Sequence, residues 1–152
     1  MPFDIIPTEI HAVPDNLDFQ VYFEPSKVND KKYVINNKTG EYLNVVGHGF
    51  RCASHKEFFE GVQNTMVENI PDSMSGSTVK WGSARNNAWA MMDMTLPNVT
   101  STIETDKHET KIGQRVIALH GVDGSCSNQV FFGAIDFFCT NGMITGEYDK
   151  VR

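Results

Sequence analysis

The residues of this chain whose types and spacing best suit chemistry lie in the segment KWGSARNNAW, from position 80 to 89. Two cations and two indoles bracket a predicted turn there: Lys80, Trp81, Arg85 and Trp89. Single-stranded nucleic acid is bound by this mixture, because bases stack on aromatic rings while phosphates pair with Lys or Arg. In a hairpin all four side chains could share one face, which predicts a nucleic-acid-binding site. The alternative interpretation makes both tryptophans core anchors and leaves the charges to solvate the turn.

A second set of reactive types, His120, Asp123 and Cys126, falls within seven residues of sequence. A thiol near an imidazole and a carboxylate has the composition of a nucleophilic site. The favoured interpretation is a strand end followed by an Asx-type turn, with Cys126 as a small loop residue. Paired acids for hydrolysis cannot be nominated elsewhere. The sequence therefore assigns no catalytic residue, and it favours a non-enzymatic protein over an enzyme.

Metal and cofactor signals are also weak. The five histidines never lie four residues apart or in a Cys/His cluster with ligand spacing. The segment 47–49, Gly-His-Gly, lacks the Lys-Ser/Thr of a Walker loop and the third glycine of a dinucleotide site. We therefore expect no metal and no cofactor, and the sequence identifies no small-molecule substrate.

Length and charge narrow the class of protein. A chain of 152 residues is most simply one domain, and its net charge of −6 argues against coating nucleic acid through bulk positive charge. No apolar run approaches the roughly eighteen residues of a membrane span, and the first residues lack the cationic start and apolar core of a signal peptide. The three cysteines are odd in number and widely spaced, which suits reduced thiols. These features predict a soluble cytoplasmic protein that contacts no membrane.

The positioning elements begin with an extended arm over residues 1–16, which carries three prolines and could pack on a neighbour. Residues 17–152 are predicted to form a single domain. Strict alternation over 17–24 predicts a strand with one buried face, and strands over 32–36 and 42–46 follow, joined by a turn that ends in Gly40.

One helix is predicted over residues 54–69. The Ser54 hydroxyl can cap its first turn while Glu57 reaches back to the cap amide, and Pro71 stops it. An apolar stripe at helical spacing then packs this helix on a sheet: Phe58, Phe59, Val62, Met66, Val67 and Ile70. The predicted fold class is α+β, with a twisted, mainly antiparallel sheet and this principal helix on one face.

The second half of the chain is predicted to be mostly strands. These are 78–84, 88–96 ending at Pro97, an edge strand at 99–105, a central strand at 114–120 and a buried strand at 129–139. A short helix is also compatible with WAMMDM, and a helix over 129–139 would place its apolar residues on one side. Gly133, the β-branched neighbours and the flanking turns favour a strand in the latter segment.

Three segments together resemble a known family. They are residues 40–47 with 54–59, the Gly- and Trp-containing hairpin 78–90, and an Asp-Gly-Ser turn at 123–125 leading to Cys-Thr-Asn-Gly at 139–142. This order is similar to that of phage- and plasmid-encoded proteins of the domain of unknown function 932 family. The resemblance covers residues 40 to 146, roughly two-thirds of the chain. Asp136 stands where that family commonly has a basic residue, which puts a phosphate contact there in doubt.

The resemblance implies a bacteriophage or mobile-element context in a bacterial host, and continuation of the natural chain past Arg152, without implying a reaction. Two function classes follow. The first is a nucleic-acid-associated module in phage replication or recombination, acting as a homo-oligomer, with the four residues of segment 80–89 as contacts. The second is a non-enzymatic structural or host-interaction protein that binds other proteins through sheet edges or the N-terminal arm.

Overall fold

The computed structural model describes residues 10–104, 109–136 and 148–151. Within these ranges a single 3-10 turn, eight strands and one α-helix follow one another. Their bounds are Asp15–Leu17 for the 3-10 turn, β1 Val21–Pro25, β2 Lys31–Asn36, β3 Tyr42–Gly47, α1 His55–Asn69, β4 Thr78–Ala84, β5 Trp89–Glu104, β6 Glu109–Gly121, β7 Gln129–Asp136 and β8 Tyr148–Val151.

The strands form two antiparallel sheets, one of three strands in the order β1-β2-β3 and one of five in the order β4-β5-β6-β7-β8. The predicted α+β class is therefore confirmed. The predicted single sheet is divided in two, because the chain leaves β3 for the helix before the second set of strands begins. A hydrogen bond connects the two sheets: Asn44 Nδ2, in β3, donates to the carbonyl of Asp123, in the loop after β6, at 2.7 Å.

Helix α1 begins where its capping signal predicts. The Glu57 amide donates to Ser54 Oγ at 3.1 Å, and the Ser54 amide donates to Glu57 Oε1 at 3.4 Å, which completes a capping box. The helix lies on the five-stranded sheet and buries Phe59 completely. The buried residues of this core are Leu17, Phe59, Met74, Ala90, Met92, Met94, Leu96, Val116 and Ala118.

The long strand β5 resolves three sequence predictions. WAMMDM is part of the strand, with Met92 and Met94 fully buried in alternation, so the helical alternative is wrong. Pro97 does not end the strand; it lies in an irregularity of the β5–β6 pairing, where no ladder hydrogen bond is required of its nitrogen. The separate strand expected at 99–105 is consequently the continuation of β5 to Glu104.

Segment 129–136 is a strand rather than the alternative helix. The remainder of that prediction, including Cys139 and the Cys-Thr-Asn-Gly signature, lies outside the described residues. The turn before β3 also matches its prediction, since Gly40 adopts a positive φ of 75°.

The described part of the N-terminal arm, residues 10–16, packs on helix α1. The His11 amide donates to Gln63 Oε1 at 2.6 Å, and Gln63 Nε2 donates back to the His11 carbonyl at 3.0 Å. Gln63 is fully buried on α1, so this pair of hydrogen bonds fixes the arm against the helix.

Among the described residues, no helix is long and apolar enough to cross a bilayer.

Candidate functional site

The four residues predicted to bind nucleic acid do not share one face of the β4–β5 hairpin. Trp81 pairs with Met92, whereas Lys80 pairs with Asp93 and Trp89 pairs with Ala84. Cross-strand partners share a face and neighbours along a strand alternate, so Trp81 faces the helix while Lys80 and Trp89 lie on the opposite side. About 13 Å of strand separates the Cα atoms of Lys80 and Ala84, the partner of Trp89.

Trp81 is partly buried and packs against the core. Its ring packs edge-to-face on the buried Phe59 at 5.3 Å between ring centroids, within the cluster beneath α1. This is the contact that the core-anchor interpretation predicts. This contact with Phe59 leaves the Trp81 ring partly exposed.

Arg85 and Trp89 lie together at the end of the hairpin. The Arg85 guanidinium carbon lies 5.1 Å from the centre of the Trp89 ring, and Arg85 Nε donates to Asp123 Oδ2 at 3.3 Å. The Arg85 side chain is 49% exposed, whereas that of Asp123 is completely buried. The buried carboxylate therefore compensates part of the Arg85 charge, while about half of the Arg85 side chain stays exposed.

Asp123 is the central acceptor of this junction. Its Oδ1 accepts from the Ser125 amide at 3.0 Å and from the Ser125 hydroxyl at 2.6 Å, and that hydroxyl in turn accepts from Trp89 Nε1 at 2.7 Å. Burial alone would raise the pKa of Asp123, but the Ser125 hydrogen bonds and the Arg85 charge outweigh it, and the pKa is lowered. The carboxylate is therefore ionised and holds the 121–128 loop to the hairpin. This is the Asx-type turn that the sequence predicts.

The three reactive types His120, Asp123 and Cys126 do not form a nucleophilic set. His120 Nδ1 is engaged with His55 Nδ1 at 2.8 Å, and its ring stacks on Phe58 at 4.6 Å. Burial raises the pKa of the Cys126 thiol, and the Asp123 charge raises it further. An activated nucleophile needs the opposite shift, so Cys126 remains a protonated thiol at neutral pH.

Cys52 behaves in the same way. Burial raises its pKa, and its thiol lies 3.6 Å from the Val122 carbonyl, to which it donates. Across the described ranges, no three His, Cys, Asp or Glu side chains come close enough to hold a metal ion.

An open cleft of about 400 Å³ lies beside Trp89. Its apolar walls include Gly82, Ala84, Trp89, Met91 and Leu119, and Cys126 and Ser127 also line it. The cleft brings one of the predicted tryptophans to an accessible hollow, while Lys80 and Trp81 do not line it.

A second surface was not predicted, and it lies on the three-stranded sheet. Tyr33 pairs with Glu24 on one side and with Val45 on the other, and Tyr22 lies two residues before Glu24 on the same strand face. Tyr42 reaches across to the same group, since its hydroxyl donates to Glu24 Oε2 at 3.0 Å. We call this side of the sheet, with Tyr22, Tyr33, Tyr42 and Val45, the tyrosine face.

The tyrosine face is exposed. Tyr22 is 43% accessible, Tyr42 58% and Val45 45%. The Tyr33 and Tyr42 rings meet edge-to-face at 5.1 Å. The hydrogen bond to Glu24 and the charge of that carboxylate raise the pKa of Tyr42, so its hydroxyl keeps its proton. The sequence carried a signal for this surface, because Tyr22 and Glu24 fall on the polar side of the alternation over 17–24.

No known protein family, curated protein or solved structure matches this chain. The resemblance to the domain of unknown function 932 family therefore remains an expectation from its motifs.

Proposed function

We propose that this protein is a non-enzymatic binding module that recognises another protein through its tyrosine face. The observation that carries the proposal is the exposure of Tyr22, Tyr42 and Val45 on one side of a single sheet, at 43%, 58% and 45%. Large aromatic side chains left accessible together are typical of interaction surfaces, because they bury much area at little cost in side-chain entropy.

A protein partner suits this surface better than a nucleic acid. Tyrosine rings alone could stack on bases, but Glu24 places a carboxylate among them and would repel the phosphates that accompany every base. The net charge of −6 adds to that repulsion. A protein surface can instead present a cation or a hydrogen-bond donor to the carboxylate.

The resemblance to phage- and plasmid-encoded proteins suggests where such a module would act. We place it in the cytoplasm of a bacterial host, as a host-interaction or structural protein. The partner is then a host protein, another phage protein or a second copy of this chain.

Capture from a bacterial lysate, quantified by mass spectrometry, tests the proposal. The bait would be the wild-type protein, a Tyr22→Ser/Tyr42→Ser variant, and an Ile70→Ser control, which alters an apolar side chain of similar exposure, 44%, away from the face. We expect proteins that bind the wild type and the control but bind the face variant at least about tenfold less. Light scattering of the same three proteins identifies a second copy as the partner if an oligomer dissociates only in the face variant. The proposal would be contradicted if all three proteins captured the same partners equally and had the same molar mass in light scattering.

A nucleic-acid-associated function is a second candidate, favoured by the half-exposed Arg85 over Trp89 beside the open cleft. Trp81 packs partly against the core, so this candidate relies mainly on Lys80, Arg85 and Trp89 as contacts. Titration of a labelled single strand at about 50 mM salt, where counterion release favours binding most, tests it. We expect Trp89→Ala to weaken any specific complex and Ile70→Ser to leave it unchanged. Absence of binding at that salt concentration removes the candidate.

A further inference from the structure

The geometry of the tyrosine face points to a site for an arginine side chain, in which Glu24 receives the guanidinium of a partner protein between the rings of Tyr22, Tyr33 and Tyr42. This inference rests on the proposed function and specifies the chemistry of the partner: a segment that presents arginine.

The Glu24 carboxylate forms no ion pair with a cation of the described part of the chain. Within the described ranges, the Tyr42 hydroxyl is the partner that the structure gives to the Glu24 carboxylate, and the ion pairs found there join other residues. A single hydrogen bond from a neutral hydroxyl leaves the negative charge uncompensated and the second carboxylate oxygen open to a donor. Glu24 is nevertheless partly buried, so its charge is less screened than that of a fully exposed acid.

The second support is the arrangement of the rings. Tyr33 and Tyr42 meet at 70° with 5.1 Å between centroids, which forms two walls of a corner. Tyr22 lies two residues from Glu24 on the same face of β1, and it is 43% exposed. Aromatic faces attract cations through their quadrupole, so the rings and the carboxylate favour the same kind of group.

Arginine fits this corner better than lysine does. A guanidinium is planar, so it can lie on a ring and donate to a carboxylate at the same time, whereas an ammonium is a strongly hydrated point charge. Arg85 provides an example of this arrangement, because it lies 5.1 Å over the Trp89 ring while it donates to Asp123 at 3.3 Å.

The net charge of the protein favours a cationic occupant of the tyrosine face, whereas the nearby Lys31 disfavours it. The net charge of −6 attracts a basic segment from a distance. Lys31 opposes it, since this exposed residue lies on β2 two positions before Tyr33 and pairs with Gly47 at the end of the face. The arginine is therefore expected to approach from the β1 side, where Tyr22 and Glu24 lie.

A labelled tetra-arginine peptide, acetylated and amidated to remove its terminal charges, is the probe. Its affinity would be measured by fluorescence anisotropy at about 50 and 200 mM salt. We expect Glu24→Gln to weaken binding roughly fivefold or more, and Glu68→Gln, which removes the same charge from an exposed position on α1, to change it less than about twofold. Tyr42→Phe retains the ring and should bind within about twofold of the wild type, whereas Tyr42→Ser should lose roughly fivefold.

Equal weakening by Glu24→Gln and Glu68→Gln would show general charge attraction and overturn the inference. Equal affinity for a tetra-lysine peptide would overturn the preference for a guanidinium. Thermal melting of each variant ensures that a loss of binding is not a loss of fold. If lysate partners are lost by Tyr22→Ser/Tyr42→Ser but retained by Glu24→Gln, the protein-binding function stands and the arginine site falls. If neither lysate capture nor peptide binding depends on the tyrosines, the proposed function itself falls.

Discussion

His55 and His120 are joined through their Nδ1 atoms, 2.8 Å apart, and both rings are completely buried. His55 Nε2 lies 2.8 Å from the Asn87 carbonyl, which can only accept, so this nitrogen carries a proton. In a neutral His55 the Nδ1 atom must then accept, and the shared proton belongs to His120 Nδ1. His120 Nε2 is left with a lone pair that meets no partner in the described part of the chain. Any additional proton on the pair must go to that nitrogen, where no acceptor awaits it.

This proton arrangement predicts a loss of stability in mild acid. Burial lowers the pKa of both rings, and that of His120 falls to about 3, since His55 adds to the effect. The unfolded chain takes up a proton near pH 6.5 that the folded chain refuses, so stability is full above that pH and falls as pH decreases toward 3. From pH 6.5 to 5, His120 alone should lower the free energy of unfolding by about 1–2 kcal/mol, as measured by urea denaturation.

The source of this pH dependence can be checked with His120→Met, which replaces the titrating ring with an uncharged side chain. The variant should be less stable at pH 7, because His55 Nδ1 loses its partner, but its stability should fall less steeply between pH 6.5 and 5. An unchanged slope would assign the pH dependence to groups other than this pair.

The junction at Asp123 predicts an unequal effect of removing the two partners of its ion pair. Asp123→Ala removes the acceptor of three hydrogen bonds from a buried position and should cost about 2–3 kcal/mol of unfolding free energy. Arg85→Ala removes a side chain that is 49% exposed, so screening by water should keep its cost near 1 kcal/mol or less. Urea denaturation of both variants measures the difference. Equal losses would mean that the ion pair, rather than Ser125, holds the loop.

Local signals explain what the sequence predicts well. The cap of α1 depends only on Ser54 and on Glu57 three residues later, and the Asx turn only on Asp123 and the residues that follow it. Neither needs information about distant strands, so both are read directly from the order of residues.

Strand register explains much of what the sequence could not predict. Whether Trp81 and Trp89 share a face depends on which residues pair across the hairpin, and the observed pairing of Ala84 with Trp89 separates them. A shift of one residue would have brought them together. The contact of His55 with His120 spans 65 residues and exists only because α1 packs over β6. The tyrosine face likewise needs the pairing of three strands before its rings become neighbours.

Burial of Phe59 predicts that the packing of α1 is essential for folding. Phe59 is fully buried and contacts the Trp81 ring, so Phe59→Asp should abolish soluble expression, and Phe59→Ala should cost about 3–5 kcal/mol. Asn64→Asp, which introduces the same charge at an exposed position of the helix, should change stability by less than about 0.5 kcal/mol. A Phe59→Asp variant with the wild-type melting transition would show that this helix faces water.

Gly121 lies so close to the Cys126 side chain that a methyl group added at Gly121 would meet the sulfur, which predicts a rescue by a second substitution. Gly121 has no unusual φ, so alanine suits its backbone, but the added Cβ would overlap the Cys126 sulfur. Gly121→Ala should therefore destabilise the protein by about 1–3 kcal/mol through overpacking. Cys126→Ala removes the sulfur and leaves its own Cβ at 3.8 Å from the new methyl, an ordinary contact. The double variant should recover most of the loss, and a double-mutant cycle by urea denaturation measures the coupling. Additive losses would show that the loop moves away from Gly121 instead of resisting the methyl group.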